Sequence, residues 1–308
     1  MDIRTRPDHH RPMGTPPETT FHALQFAGSL QLDSADRRGL HLVHASGRGT
    51  RLQVPAGWLT LCVPLAGCLQ FETAETCWEL STGLLQVWRD APVRVSDHGS
   101  GAWLALAGPI PAWHRHLLRV SAQGRPEIFP IRCACTRDLR RLLVTLARAT
   151  RSDSPINREP ARLVEAVCTA ALEQQQDLVA RLANCSGRTL QRRQQTMLRL
   201  LRVRHLIETS RGERPDLVQL ARTASYSPWH LIRIHREVFG ETPSEYAATL
   251  RLRQTWSLVQ DTSTSICEIS EALGFESQSA FCRSFKKSFG CTTTQARKTQ
   301  RDGRSLAA

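Results

Sequence analysis

Between about Phe21 and Leu106 the apolar positions come in short runs, often β-branched or aromatic, and each run is closed by glycine or proline. The clearest are Gly39–Val43, Trp58–Val63, Gly67–Phe71, Leu84–Trp88 and Ala102–Leu106, separated by segments such as Pro55-Ala56-Gly57, Ser81-Thr82-Gly83 and Asp97-His98-Gly99-Ser100-Gly101. Many short strands with regular turn signals predict an antiparallel sandwich or barrel. After Pro111 the period becomes helical. Leu139, Leu142, Leu143 and Leu146 form one stripe within residues 136–148, and residues 160–172 read the same way, with Pro160 suited to a first helical turn.

The last hundred residues carry one pattern twice. Leu220–Tyr226 precedes Leu231–Arg236 and then Phe239-Gly240; Ile269–Phe275 precedes Phe281–Lys286 and then Phe289-Gly290. The offset is 49 at Leu220/Ile269 and 50 at Phe239/Phe289, so the second copy has one extra residue in its turn. Each copy predicts helix, tight turn, basic helix, the layout of a helix-turn-helix. Asp216 and Ser227 are N-cap candidates in the first copy, and Ser277 in the second. Leu231, Ile234, Val238 and Phe239 are expected to be buried, leaving Trp229, His230, Ile232, Arg233 and Arg236 outward. In the second copy Phe281, Phe285 and Phe289 are expected inside and Gln278, Ser279, Cys282, Arg283, Lys286 and Lys287 outside. Arginine suits guanine, glutamine suits adenine, lysine suits phosphate, and an exposed isoleucine can pack on a thymine methyl. Small Ser270 and Gly274 are expected to let the second pair of helices cross closely. Thr242-Pro243-Ser244-Glu245 starts a connecting helix that runs to about Val259, a rod of roughly 26 Å. Such a rod can hold two reading helices about one DNA turn, roughly 34 Å, apart.

Charge sharpens this picture. The 308 residues carry a formal net charge of +13 with pI about 10.0, which favours polyanions. From Leu178 to Ile207 there are seven arginines and no acidic residue. This basic stretch reads either as a solvated connector or as extra phosphate contact. No run of eighteen apolar residues exists, so no membrane span is expected. Residues 1–17 are polar and proline-rich, lack a signal-peptide core, and read as a disordered lead-in. The ten cysteines include no CxxC, which fits reduced thiols in a cytosol; Cys133 and Cys135 are the only close pair.

These motifs together carry a resemblance. Leu220-Ala221, Ser227–Arg233, Phe239–Tyr246, Leu250–Arg253, Ile266–Ile269, Gly274–Phe281 and Arg283–Gly290 resemble the DNA-binding domain of AraC/XylS-type bacterial transcription regulators. The resemblance covers about a third of the chain. It implies seven helices, two of them entering successive major grooves, with contacts from Trp229, Ile232, Arg233, Gln278, Ser279 and Arg283. Two positions depart from the family: His235 stands where an aromatic is usual, and Thr293-Thr294-Gln295-Ala296 where proline and an aromatic are usual. The N-terminal half resembles the cupin-like sensor domain that precedes many such DNA-binding domains.

The expected fold is therefore α+β. Residues 1–20 form a disordered lead-in, and 21–135 a cupin-like barrel or sandwich that senses an effector. Residues 136–195 form a helical dimerisation and linker segment, 196–301 an all-α domain with two helix-turn-helix units, and 302–308 a disordered tail. Trp58, Trp88, Arg89 and Trp103 are the candidate effector residues: apolar walls with a few polar groups. His41, His44, His98, His114 and His116 lack a His-x-His with a suitably spaced Glu, so no metal or other cofactor is expected. Nucleophile elbow, P-loop and zinc-protease motifs are absent, so no enzyme is expected. Expected partners are double-stranded promoter DNA, a small-molecule effector, RNA polymerase and a second copy of the chain, in the cytoplasm at the nucleoid. An effector-responsive activator is the leading reading. A constitutive, weakly specific architectural DNA-binding protein is the alternative, and a cupin enzyme with an accessory DNA domain comes third.

Overall fold

A computed structural model describes residues 19–36, 39–89, 91–99, 101–121, 124–151, 159–210, 216–261 and 264–298. The tail at 302–308 and the lead-in up to residue 18 lie outside the described residues. The chain divides into two compact units between Ala180 and Arg181.

The first unit has two sheets. The larger is ordered β1 (Thr19–Leu24), β3 (Leu40–Ser46), β10 (Ala102–Pro109), β5 (Trp58–Ala66), β8 (Leu84–Arg89) and β11 (Arg132–Ala134). The smaller is ordered β2 (Ser29–Gln31), β4 (Arg51–Val54), β9 (Val93–Asp97), β6 (Cys68–Glu72) and β7 (Cys77–Ser81). Pairing is antiparallel except β1 with β3 and β2 with β4, which are parallel. The expected all-antiparallel arrangement fails at these edges because the chain alternates between sheets over its first four strands. Strands two steps apart then run the same way.

Burial explains the two kinds of strand. In β5, Leu59, Leu61 and Val63 face a helical layer while Trp58 and Cys62 face the smaller sheet, so the strand is apolar on both sides. Strand β4 alternates, with Leu52 and Val54 buried and Arg51 and Gln53 exposed, because its outer face meets water. The helical layer is α1 (Ile110–Val120), α2 (Arg137–Arg151) and α3 (Glu159–Glu173). Leu139, Leu143 and Leu146 of α2 and Val164, Val167, Cys168 and Ala171 of α3 close one core against the larger sheet. The predicted stripe is recovered except for Leu142, which is half-buried.

After α4 (Gln176–Arg181) the second unit is helical: α5 (Leu190–Thr209), α6 (Leu217–Ala224), α7 (Pro228–Phe239), α8 (Pro243–Asp261), α9 (Ile266–Ala272) and α10 (Gln278–Phe289), followed by a helical segment at 293–298. The basic stretch is not a solvated connector. Met197, Leu200, Leu201, Val203 and Ile207 of α5 are buried, and α5 packs on α6 and α8. Four of its seven arginines are held inside this unit, Arg199 among them at 5.5 Å from the Tyr226 ring centre. Arg181 donates to the Val238 carbonyl (3.1 Å), and Arg193 donates to the Gly187 carbonyl (3.0 Å). Arg204 lies 3.5 Å from the Tyr246 ring centre and 4.4 Å from that of Phe239.

Candidate nucleic-acid interface

The two copies share the bonds that close the first helix and cap the second, and differ in how the first helix starts. Helix α6 starts on Asp216, whose side chain accepts from Val218 N, and α9 starts on a Ser265/Glu268 capping box. Each ends on a left-handed residue, Ser225 at φ +56 and Gly274 at φ +73. The same pair of backbone bonds closes both: Ser225 N to Arg222 O and Tyr226 N to Ala221 O, then Gly274 N to Glu271 O and Phe275 N to Ser270 O, all 2.9 Å. Ser227 and Ser277 then cap α7 and α10. Helix α8 begins on a Thr242/Glu245 capping box, and the segment at 293–298 begins on the equivalent Thr292/Gln295 box. The capping box is therefore kept there without the usual proline.

This geometry corrects the expected role of Gly274. A Cβ at that position would meet nothing within 4 Å, so no helix crossing depends on its small size. What demands glycine is the positive φ. Gly274→Ala is expected to cost about 1 kcal/mol, whereas Ser225→Gly is expected to stabilise by up to about 1 kcal/mol. Thermal unfolding of the two variants checks this; opposite signs at the two sites are the diagnostic result.

On α7, Leu231, Ile234, His235 and Val238 are buried. Trp229, 81% exposed, stands outward with Arg233 and Arg236. His230 is half-buried against Tyr226, its ring 4.7 Å away edge-on. Ile232 is half-buried as well, not freely exposed, because it lies at the border of the packed face. The large apolar group offered to solvent is Trp229. On α10, Phe281 and Phe285 are buried and Phe289 is half-buried, with Trp256 of α8 stacked on Phe285 at 5.7 Å and 3°. Gln278, Ser279, Arg283, Lys286 and Lys287 are exposed. Cys282 is half-buried toward Thr293, at 3.8 Å from its hydroxyl.

His235 is a packed core histidine. It is fully buried, donates from Nδ1 to the Glu241 carbonyl, and contacts the Phe239 ring. Burial drives its pKa down to about 4; nearby Arg204 adds to this, and the Glu241 hydrogen bond opposes it.

The four candidate effector residues do not form one site. Trp58, Trp103 and Trp88 belong to the core between the sheets. Trp103 donates to the Thr50 hydroxyl (3.0 Å), Trp88 donates to the Ala91 carbonyl (2.9 Å), and Trp58 stacks on His41. Arg89 follows Trp88 in β8 and so lies on the opposite face, where it pairs with Glu127. Glu127 also reaches His114 (3.4 Å), and the hydrogen bond with His114 and the Arg89 charge hold its carboxyl below the ordinary range despite burial. Two polar side chains sit in the intersheet core: Gln86, which the sequence did not single out, and His41, weighed there only as a metal ligand. Gln86 accepts from Trp78 (3.1 Å), and His41 meets His22 (3.0 Å) and Asp36 (3.1 Å). Cys133 and Cys135 both pack against the helical layer, and burial pushes the Cys133 thiol up to about 11. Among the described residues no group of three or more His, Cys, Asp and Glu could hold a metal ion.

Residues 220–299 match the family model described as a helix-turn-helix domain. Over 90 residues, 29% of this chain and 74% of its relative, the sequence is 36% identical to the probable transcription factor PqrA of Proteus vulgaris. The chain belongs to the AraC/XylS-type transcriptional regulators. The HTH-type transcriptional regulator GlxA of Rhizobium meliloti is 39% identical over 100 residues, covering 32% of this chain and 31% of GlxA. The match thus takes in most of PqrA but under a third of GlxA. An AraC-type structure from Chromobacterium violaceum aligns with 33% of this chain and 91% of its own, at 29% identity and a TM-score of 0.30. As an AraC/XylS-type regulator the chain is a DNA-binding helix-turn-helix protein of transcription. No helix among the described residues is long and apolar enough to cross a membrane.

Proposed function

We propose that this chain is an effector-responsive transcription activator whose α7 and α10 are recognition helices of two helix-turn-helix units, reading successive major-groove segments. The observation that carries this is the doubled helix pair, closed by the same bonds and with the second helix capped alike, strung on one helix. At 19 residues, α8 is about 28 Å long, close to the roughly 34 Å of a DNA turn. The reading side chains are Trp229, His230, Ile232, Arg233 and Arg236 in the first head and Gln278, Ser279, Cys282, Arg283, Lys286 and Lys287 in the second. The N-terminal unit is a cupin-like sensor whose aromatic intersheet core suits an apolar small molecule near Trp58, Trp88 and Trp103. Arg89 is not part of that surface. Residues 136–195 serve as dimerisation and linker segment. Effector binding shifts the population of DNA-competent arrangements, and the bound protein meets RNA polymerase at the promoter.

The test is a footprint on duplexes selected from a random pool. Two adjacent major-groove segments should be protected, and a reporter gene should rise. Arg233→Ala and Arg283→Ala should each cost about 1–3 kcal/mol and relax selectivity at one base position, in different segments. A specificity ratio near unity against random DNA would instead favour an architectural DNA-binding protein.

A further inference from the structure

From the cap of the reading helix onward the two copies are alike in backbone and opposite in charge. Residues 227–246 carry Arg233 and Arg236 against Glu237, Glu241 and Glu245; the equivalent residues 277–296 carry Arg283, Lys286 and Lys287 and no acid. Position by position, Glu237 corresponds to Lys287, Glu241 to Cys291 and Glu245 to Gln295. The acids of the first head are engaged. Arg233 pairs with Glu237 at 3.4 Å and Arg236 with Glu245 at 2.9 Å, both on the exposed side of α7, while Glu241 turns away to Arg204 at 3.4 Å. Each arginine therefore already has a carboxylate beside it before a phosphate arrives.

We infer that Glu237 and Glu245 are specificity-determining residues of the first head, acting as internal competitors that withhold Arg233 and Arg236 from non-specific backbone. The inference rests on α7 and α10 being the DNA-contacting helices. A phosphate on arbitrary DNA must displace an ion pair already formed, and it meets the repulsion of the released carboxylate. A site that offers Arg233 a bidentate base edge repays that displacement; a bare backbone does not. Residues 277–296 hold no such competitor, so α10 supplies the salt-dependent, sequence-tolerant hold on DNA. One chain thus divides the work: anchoring at α10, discrimination at α7.

The chain supplies its own control for the variant. Gln295 makes the same capping box in the second copy that Glu245 makes in the first, so Glu245→Gln keeps the start of α8. Full-length wild type, Glu237→Gln, Glu245→Gln and the double variant are titrated over a salt series with two probes: random-sequence duplex, and duplex selected by the wild type. Each substitution should raise random-duplex affinity about fivefold at 0.15 M salt and steepen the log–log salt slope by about 0.9, one extra phosphate contact each. The selected duplex should gain less, so the specificity ratio falls. Lys287→Glu should do the reverse, lowering random-duplex affinity and flattening the slope. Unchanged slopes and ratio in the double variant overturn the inference. Arg233→Ala and Arg283→Ala run alongside. If they bind both duplexes as wild type does, the helix assignment itself has failed. If they lose binding while the glutamate variants behave as wild type, only the competitor role has.

Discussion

Replacing Phe285 by alanine should cost about 3–5 kcal/mol and unfold the second helix pair. The ring is 2% exposed and stacks flat on Trp256, with Phe289 at 4.5 Å and Phe281 at 6.0 Å between ring centres. The fully buried part of this core is small: Val259, Ile269, Phe281, Phe285 and Ala296. One phenyl ring is a large share of it. Cavity and lost transfer energy therefore add. Urea unfolding followed through Trp256 fluorescence measures the loss. A loss below about 1 kcal/mol would mean that the second pair is held by something other than its aromatic ladder. Binding to duplex should fall with it, because Arg283 and Lys286 lie on the helix that Phe285 anchors.

The second large effect is acid lability centred on His235. Burial holds its folded pKa at about 4, against 6.5 for an exposed histidine. Between those values the unfolded chain takes up a proton that the folded chain refuses, so unfolding binds protons and stability falls as pH falls. The contribution is fully present above pH about 6.5 and is lost progressively toward pH about 4, roughly 3 kcal/mol in all. The repeat supplies the informative variant, since Phe285 fills the equivalent place in the second copy. His235→Phe should flatten the pH profile of the second unit over this window. Glu245, held near about 2 by its cap bonds and Arg236, also loses stabilisation at the acid end of this window, but it is the same in both proteins. His116, also held to about 4 by burial, lies in the other unit and is the same in both proteins. Urea midpoints of wild type and variant from about pH 7 to about pH 4 give the comparison, and parallel curves would remove His235 as the cause.

What could be read from the sequence were features whose cause is local. A serine before a proline, a glycine after a helix and a threonine three residues before a glutamate each act over one turn of chain. The caps at Ser227, Thr242 and Ser277 were legible for that reason. So were the buried Leu231, Ile234, Phe281 and Phe285, whose spacing follows the helical period. The misreadings needed knowledge of partners distant in sequence. The arginines of the 178–207 stretch looked solvated because Val238, Phe239 and Tyr246, which receive two of them, lie dozens of residues downstream. Arg89 looked like a companion of Trp88 until β8 put them on opposite faces. Gly274 was read as a steric requirement, yet its constraint is torsional, and Ser225 at the same place in the first copy bears the same torsion with a side chain. Parallel pairing at both sheet edges was hidden because strand periodicity carries no direction.

Helix α8 has a consequence for how this part of the chain can vary. Its start, at Tyr246, is buried in the first core, and its end, at Val259, in the second. Each added residue would advance the second core by about 1.5 Å and swing it about 100° around the axis. The copies themselves differ in length by one residue, and that residue falls in a turn, where Ser225-Tyr226-Ser227 faces Gly274-Phe275-Glu276-Ser277. A turn absorbs an insertion without rotating anything beyond it, because the next helix is re-seated by its own core. The shaft between the heads has no such tolerance. Side chains along its outside are free to drift, but the number of residues between Tyr246 and Val259 sets the phase of the machine.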